Sequence, residues 1–172
     1  MHKLASGWHV ALLAASLMWL SACGYHLRSS GQLVQRWPAL AVAQPETALG
    51  RQLVRQLELA GVQSNRPGAP ALHVLDAGFR RKVLSLDSRG RVSEYRLVYR
   101  VRFQLRAEGR YWPEREIRLQ QAFNFEDDQI LGKFRQEHQL REEMLREAAV
   151  RVLEALLYLP EGETVDATET PG

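Results

Sequence analysis

"EYRLVYRVRFQLR", Glu94 to Arg106, is the stretch on which the fold turns. Tyr95, Leu97, Tyr99, Val101, Phe103 and Leu105 alternate with Glu94, Arg96, Arg100, Arg102, Gln104 and Arg106, and Val98 is the one exception. A period of two is the signature of a strand with one face in a core and the other outside it. The apolar face requires a covering layer. The guanidinium face requires water or a partner.

Neighbouring segments supply the rest of the sheet. Residues 71 to 86, "ALHVLDAGFRRKVLSL", read as a strand whose alternation breaks near Gly78, where a bulge would restore it. Residues 110 to 125, "RYWPEREIRLQQAFNF", read as a third strand. A three-residue loop of Ala107, Glu108 and a left-handed Gly109 would pair residues whose numbers add to 216. Arg102 then faces Glu114, Arg100 faces Glu116, Tyr99 faces Ile117 and Leu97 faces Leu119. On this reading the arginines line a solvated sheet face with cross-strand ion pairs of about 0.2–1 kcal/mol each.

Upstream, "GYHLRSSG" after Cys23 is strand-like and punctuated by Gly31, and "PALAVAQ" from Pro38 reads as a buried strand. "PETALGRQLVRQLELAG" changes the period: Leu49, Leu53 and Leu57 recur every four residues, Pro45 and Glu46 suit a first helical turn, and Gly61 suits a stop. "VQSNRPGAP" is turn chemistry. From Lys133 to Leu159 the row Leu140, Met144, Ala148, Val152, Leu156 and its neighbour Leu145, Ala149, Leu153 predict a second helix packed on a sheet. Asp127 and Asp128 lie ahead of it, and Pro160 and Gly162 end it. The order β, β, α, β, β, β, α predicts an α+β two-layer sandwich, two amphipathic helices on one face of a mixed or antiparallel sheet of four to five strands.

The termini bound the cellular context. Residues 1 to 22 contain Lys3, no acidic residue, and the run "VALLAASLMWL" from Val10 to Leu20, which is too short to span a ~30 Å hydrocarbon core as a helix. This reads as a secretory signal. It ends in "LSAC", which resembles the lipobox of bacterial lipoproteins, and Cys23 is the one cysteine of the chain. The resemblance implies acylation of Cys23, tethering of a single domain at 23–160 to a membrane, and, with Gly24 rather than Asp next, an outer-membrane address on the periplasmic side. Residues 161 to 172 are polar and acidic, which reads as a disordered tail.

The 22 basic and 20 acidic residues after position 22 give no strong overall field, which argues against a nucleic-acid binder. The charge is segregated, however. Residues 80 to 118 hold 12 Arg or Lys against 5 Asp or Glu, and residues 119 to 172 hold 5 against 12. His26, His73 and His138 are scattered, with no metal-ligand spacing and no nucleophile motif beside them. "GRQLVRQ" and "GRVSEYR" match no phosphate-cradling loop. Nothing in the sequence requires an enzyme, a cofactor or a metal.

"CGYHLRSSG" after the lipobox, a basic turn leading into "SEYRLVYRVRFQL", and "FNFEDDQILGKFRQEHQLREEMLREAAVRVLEAL" at the end together resemble the LPS-assembly lipoprotein LptE family. The resemblance implies a sandwich of two helices on a sheet. It also implies a non-catalytic outer-membrane lipoprotein that plugs and helps assemble the LptD β-barrel in a one-to-one complex, with its body in the barrel lumen, and that binds lipopolysaccharide (LPS). LPS carries phosphates beside acyl chains, and arginine and lysine suit phosphate. The expected LPS contacts are Arg89 and Arg91 in "LDSRGRVSE" and Lys133 in "ILGKF", with Arg80, Arg81, Lys82, Arg100 and Arg102 as secondary basic candidates. The competing reading is a structural or assembly-accessory lipoprotein that binds another envelope protein and no glycolipid. Only an LPS binder needs the charge of the basic turn.

Overall fold

The computed structural model describes residues 28–64, 66–124 and 130–160, with side chains from Gly31 onward and, in the last helix, from Arg135 onward. Cys23, the export segment, Asp127, Asp128, Gly162 and the acidic tail lie outside the described residues. The elements run α1 (Arg28–Arg36), β1 (Ala41–Val42), α2 (Ala48–Leu59), β2 (Ala71–Leu86), β3 (Val92–Ala107), β4 (Arg110–Tyr111), β5 (Arg115–Asn124) and α3 (Ile130–Leu157).

The sheet is mixed and five-stranded. β1 lies parallel to the start of β2, β2 is antiparallel to β3, and β3 pairs antiparallel with both β4 and β5. β3 is the central strand, and its alternation holds as written: Leu97, Tyr99, Val101, Phe103 and Leu105 are buried, whereas Arg96, Arg100, Arg102 and Arg106 are half-buried on the opposite face. One core cluster joins those β3 residues to Leu33 of α1, Leu49, Leu53 and Leu57 of α2, and Met144, Ala148, Ala149, Val152, Leu153 and Leu156 of α3. All three helices therefore cover the apolar face, and the arginine face stays open.

Three expectations are corrected. First, the strand expected at "GYHLRSSG" is, from Arg28 on, part of helix α1, so the helical layer has three members instead of two. Its composition is poor for a helix, and tertiary contact compensates: Leu33 is buried, Trp37 Nε1 donates to the carbonyl of Leu156 (3.1 Å), and Arg36 Nη2 donates to that of Leu159. Second, Pro45 and Glu46 precede the helix instead of opening it. Thr47 is the N-cap, its Oγ1 accepting from the Gly50 amide at 2.9 Å. Gly61 does follow the helix end, at φ +75°.

Third, the registers differ. The shift that restores alternation in β2 lies between Val74 and Asp76, so Leu75 is the bulged residue and Gly78 is paired directly with Arg100. Here β1 has ended, and the Val74 amide donates to the side chain of Gln44 at 3.2 Å instead of to a strand. In the β3–β5 ladder Arg102 faces Glu116, Arg100 faces Arg118, Tyr99 faces Leu119 and Leu97 faces Gln121. The hairpin loop is two residues, since Ala107 pairs with Arg110, with Gly109 left-handed as expected at φ +64°. Between β4 and β5 the chain leaves the ladder around Pro113, which has no N–H to contribute. Trp112 anchors the break: its amide donates to Leu105 O (3.0 Å), and its ring packs edge-on against Trp37.

Candidate anion-binding surfaces

β2 and β3 stay paired as far as a basic turn at residues 87–91. Asp87 organises it: Oδ1 accepts from the amides of Arg89 and Arg91 (both 2.9 Å), and Oδ2 accepts from Arg91 Nε (3.0 Å). The backbone and side-chain donors of Arg91, with the Arg89 amide, hold the Asp87 carboxyl below its ordinary range against a smaller opposing effect of burial. Gly90, at φ +76°, takes the left-handed position that closes the turn. Beside this basic tip, Val83, Leu84 and Leu86 are 55%, 39% and 58% exposed. Cations and aliphatic side chains thus share one end of the hairpin.

The expected contact residues divide among three places. Arg89 and Arg91 are at the tip, with the Arg91 guanidinium paired to Asp87. Lys133 lies in the first turn of α3, one helical turn before Glu137. Its side chain is outside the described residues. Glu137 binds Arg81 Nη1 (3.3 Å), and α3 ends against Trp37 at the far end of the sheet, so its first turn is the end nearer the tip. Arg81 leaves the basic group altogether: it stands on the helical face, over the Tyr95 ring and against Glu137, where it ties sheet to helix.

Arg80, Lys82, Arg100 and Arg102 share the open face. Arg102 Nη1 binds Glu114 Oε1 at 3.0 Å, the expected pair, although Glu114 is not its ladder partner. The other expected pair, Arg100 with Glu116, is not made. Arg100 Nη2 donates instead to Asp76 Oδ2 (3.2 Å), and Glu116 accepts from Arg118 (3.2 Å). Sequence reasoning missed Asp76, Asp87 and Arg118. Asp87 was findable, because an Asp three residues before Gly in a polar turn is a known backbone acceptor. Arg118 was not, because its position opposite Arg100 depends on the register.

His73 on β2 is held below its ordinary pKa, first by burial and then by the nearby Arg106 charge. Among the described residues no group of three or more His, Cys, Asp or Glu could hold a metal, and no helix is long and apolar enough to cross a membrane.

The family described as LptE, lipopolysaccharide-assembly, matches residues 37–156. A protein of Photorhabdus laumondii named LPS-assembly lipoprotein LptE is 26% identical over 164 residues, covering 92% of this chain and 90% of its own. One of the same name from Yersinia enterocolitica is 28% identical over 167 residues, covering 92% and 79%. Among solved structures, the rare lipoprotein B of Shewanella oneidensis superposes with a TM-score of 0.60 at 27% identity, covering 69% of this chain and 91% of that one. Lipoprotein B of Nitrosomonas europaea gives 0.58 at 25%, covering 70% and 82%.

Proposed function

Because the chain belongs to the LptE lipopolysaccharide-assembly family, we propose that this non-enzymatic LPS-assembly lipoprotein binds LPS at the β2–β3 tip and sits as a plug in an LptD-type β-barrel. Acylation at Cys23 anchors it to the outer membrane from the periplasmic side, with the body inside the barrel lumen. The observation that carries the LPS reading is the composition of the tip, where Arg89 and Arg91 stand beside exposed Val83, Leu84 and Leu86. That combination suits a phosphate with acyl chains next to it. Arg89 offers a guanidinium with no ion pair among the described residues, while Arg91 is positioned by Asp87. Lys133, in the first turn of α3, is the third residue of the proposal.

The plug reading is supported by the open face. A polar barrel lumen accepts a charged, half-buried arginine surface that would be unusual against lipid. Binding of LPS to the full-length protein tests the first reading. The triple variant Arg89→Glu, Arg91→Glu, Lys133→Glu should stay folded and lose most of its LPS affinity. Unchanged affinity in the folded variant removes the tip from the mechanism and leaves an assembly-accessory lipoprotein that binds protein alone.

A further inference from the structure

Gly78 lies in the middle of β2, and its place in the ladder is regular. A glycine inside a strand weakens it, and usually marks a bulge, a bend or the close approach of a ligand or another backbone. The bulge is at Leu75, which leaves Gly78 without that explanation. A side chain at Gly78 would meet no atom within 4 Å. It stands instead over a hollow of about 180 Å³ in the open face of the sheet, rimmed by Arg80, Lys82, Arg100 and Arg118, with Asp76 at one side and Val98 on the floor.

The charge of this hollow is not balanced from within. Four cations line it against the one carboxylate of Asp76. Asp76 is occupied by Arg100 and lies 3.9 Å from Arg102 Nε, and Arg118 is held by Glu116 beside it. Among the described residues Arg80 and Lys82 have no ion-pair partner. The register adds a second, independent sign. Arg100 is directly opposite Arg118, and Lys82 directly opposite Arg96, on the same face. Like charges facing each other across strands are destabilising. An anion between them reverses that sign, and the planar forks of two arginines suit a tetrahedral oxyanion.

The geometry points to a phosphate-binding site in the hollow over Gly78, with Arg100 and Arg118 as the opposed clamp and Arg80 and Lys82 closing the rim. The ligand class is a phosphate monoester, carried on a lipid headgroup or free in solution. The site is separate from the tip: Asp87 is nine positions along the strand from Gly78, roughly 30 Å at about 3.3 Å per residue. The assignment therefore does not rest on the reading of the tip. The absent side chain at position 78 is part of the device, because any carboxylate placed there would occupy the hollow itself.

The test uses the full-length protein in a sugar-headgroup detergent, with inorganic phosphate as the first probe and NMR shifts of the arginine Nε–H groups and the Gly78 amide as readout. Saturable shifts are expected at Gly78, Arg80, Arg100 and Arg118. Gly78→Glu should abolish them, and Arg118→Gln should weaken binding roughly tenfold or more, as loss of one charge-assisted hydrogen bond predicts. Gly78→Ala serves as the folded control that intrudes least, and its phosphate affinity should fall between those of the parent and Gly78→Glu. The double variant Arg89→Glu, Arg91→Glu should leave the phosphate shifts unchanged, whatever it does to LPS. Phosphatidylcholine vesicles with and without phosphatidic acid identify the source: tighter binding to the phosphatidic acid vesicles than to free phosphate assigns a lipid headgroup, and equal binding assigns the free anion. If neither probe saturates at these residues, or if folded Gly78→Glu and Arg118→Gln bind as the parent does, the site does not exist.

Discussion

Two helical glycines of this chain have opposite consequences. At Gly50, in the first turn of α2, an added Cβ would lie 2.0 Å from the carbonyl oxygen of Gln44 and 2.8 Å from the Thr47 hydroxyl that caps the helix. A backbone oxygen cannot swing aside, so the N-terminal turn must open or the cap must break. Gly50→Ala should cost about 1–3 kcal/mol despite the better helix propensity of alanine. Gly31, in α1, has no atom within 4 Å of that position, and Gly31→Ala should stabilise by about 0.5–1 kcal/mol. Urea unfolding of the two variants should therefore move in opposite directions. A gain from Gly50→Ala would mean the approach of Gln44 is not fixed. Tyr99 makes a pH-dependent prediction at the same scale. Burial beside the stacked Phe79 raises its pKa from 10.0 to about 12. The folded protein thus holds the neutral phenol more firmly than the unfolded chain. Its stabilisation is complete below pH 10 and is lost as pH rises toward about 12, amounting to about 2–3 kcal/mol over that window. A spectrophotometric tyrosinate titration should show one late step that coincides with unfolding, and Tyr99→Phe should remove it.

At the scale of elements, the β2–β3 turn depends on one carboxylate. Asp87→Ala leaves the amides of Arg89 and Arg91 without their acceptor and removes the Asp87 contact of the Arg91 guanidinium. Hydrogen exchange of those two amides should become markedly faster while the amides of central β3 keep their protection. Acid should act in the same way: the folded pKa of Asp87 is depressed, so its contribution is present above the ordinary carboxylate range and disappears as pH falls through the lowered value. The elements also differ in how far sequence could reveal them. β3 and α3 were legible because their periods, two and 3.6, recur with one face buried, from Leu97 to Leu105 in the strand and from Met144 to Leu156 in the helix. α1 was not, because "RSSGQLVQR" is held by long-range contacts, with Arg36 and the following Trp37 donating to carbonyls 123 and 119 residues away. The register was not legible either, since the ladder shifts at Pro113 and no periodicity records by how much. That difference decided the site. With partners adding to 216, Arg100 faces Glu116 and the surface is self-neutralising; in the ladder that forms, it faces Arg118 and is not. The placement of the bulge had a similar effect, sending Arg80 and Lys82 to the open face and Arg81 to the helices.

The whole molecule combines a single core with two separate basic surfaces, and variants can dissociate the roles proposed for them. Phe103 is 1% exposed at the centre of the cluster that joins all three helices to β3. Phe103→Ala should cost about 3–5 kcal/mol. Against a net stability of about 5–15 kcal/mol for a domain of this size, that is enough to compromise the entire body at once, because no second core exists among the described residues to hold part of it. The tip behaves differently. Its side chains are largely outside the core, so the charge reversals at Arg89, Arg91 and Lys133 should leave the fold and the open sheet face intact. Co-purification from detergent-solubilised outer membranes, with a tag at the C-terminus, separates these consequences. The parent chain should recover a large β-barrel in a one-to-one ratio. Phe103→Ala should lose it, and the tip variant should retain the barrel while its LPS binding falls. If the tip variant also loses the barrel although folded, the basic turn is a protein contact and LPS binding has to be sought elsewhere. If the parent recovers no barrel under conditions that keep other barrel complexes whole, the plug reading is wrong, and the arginines of β3 are the solvated face of a tethered domain.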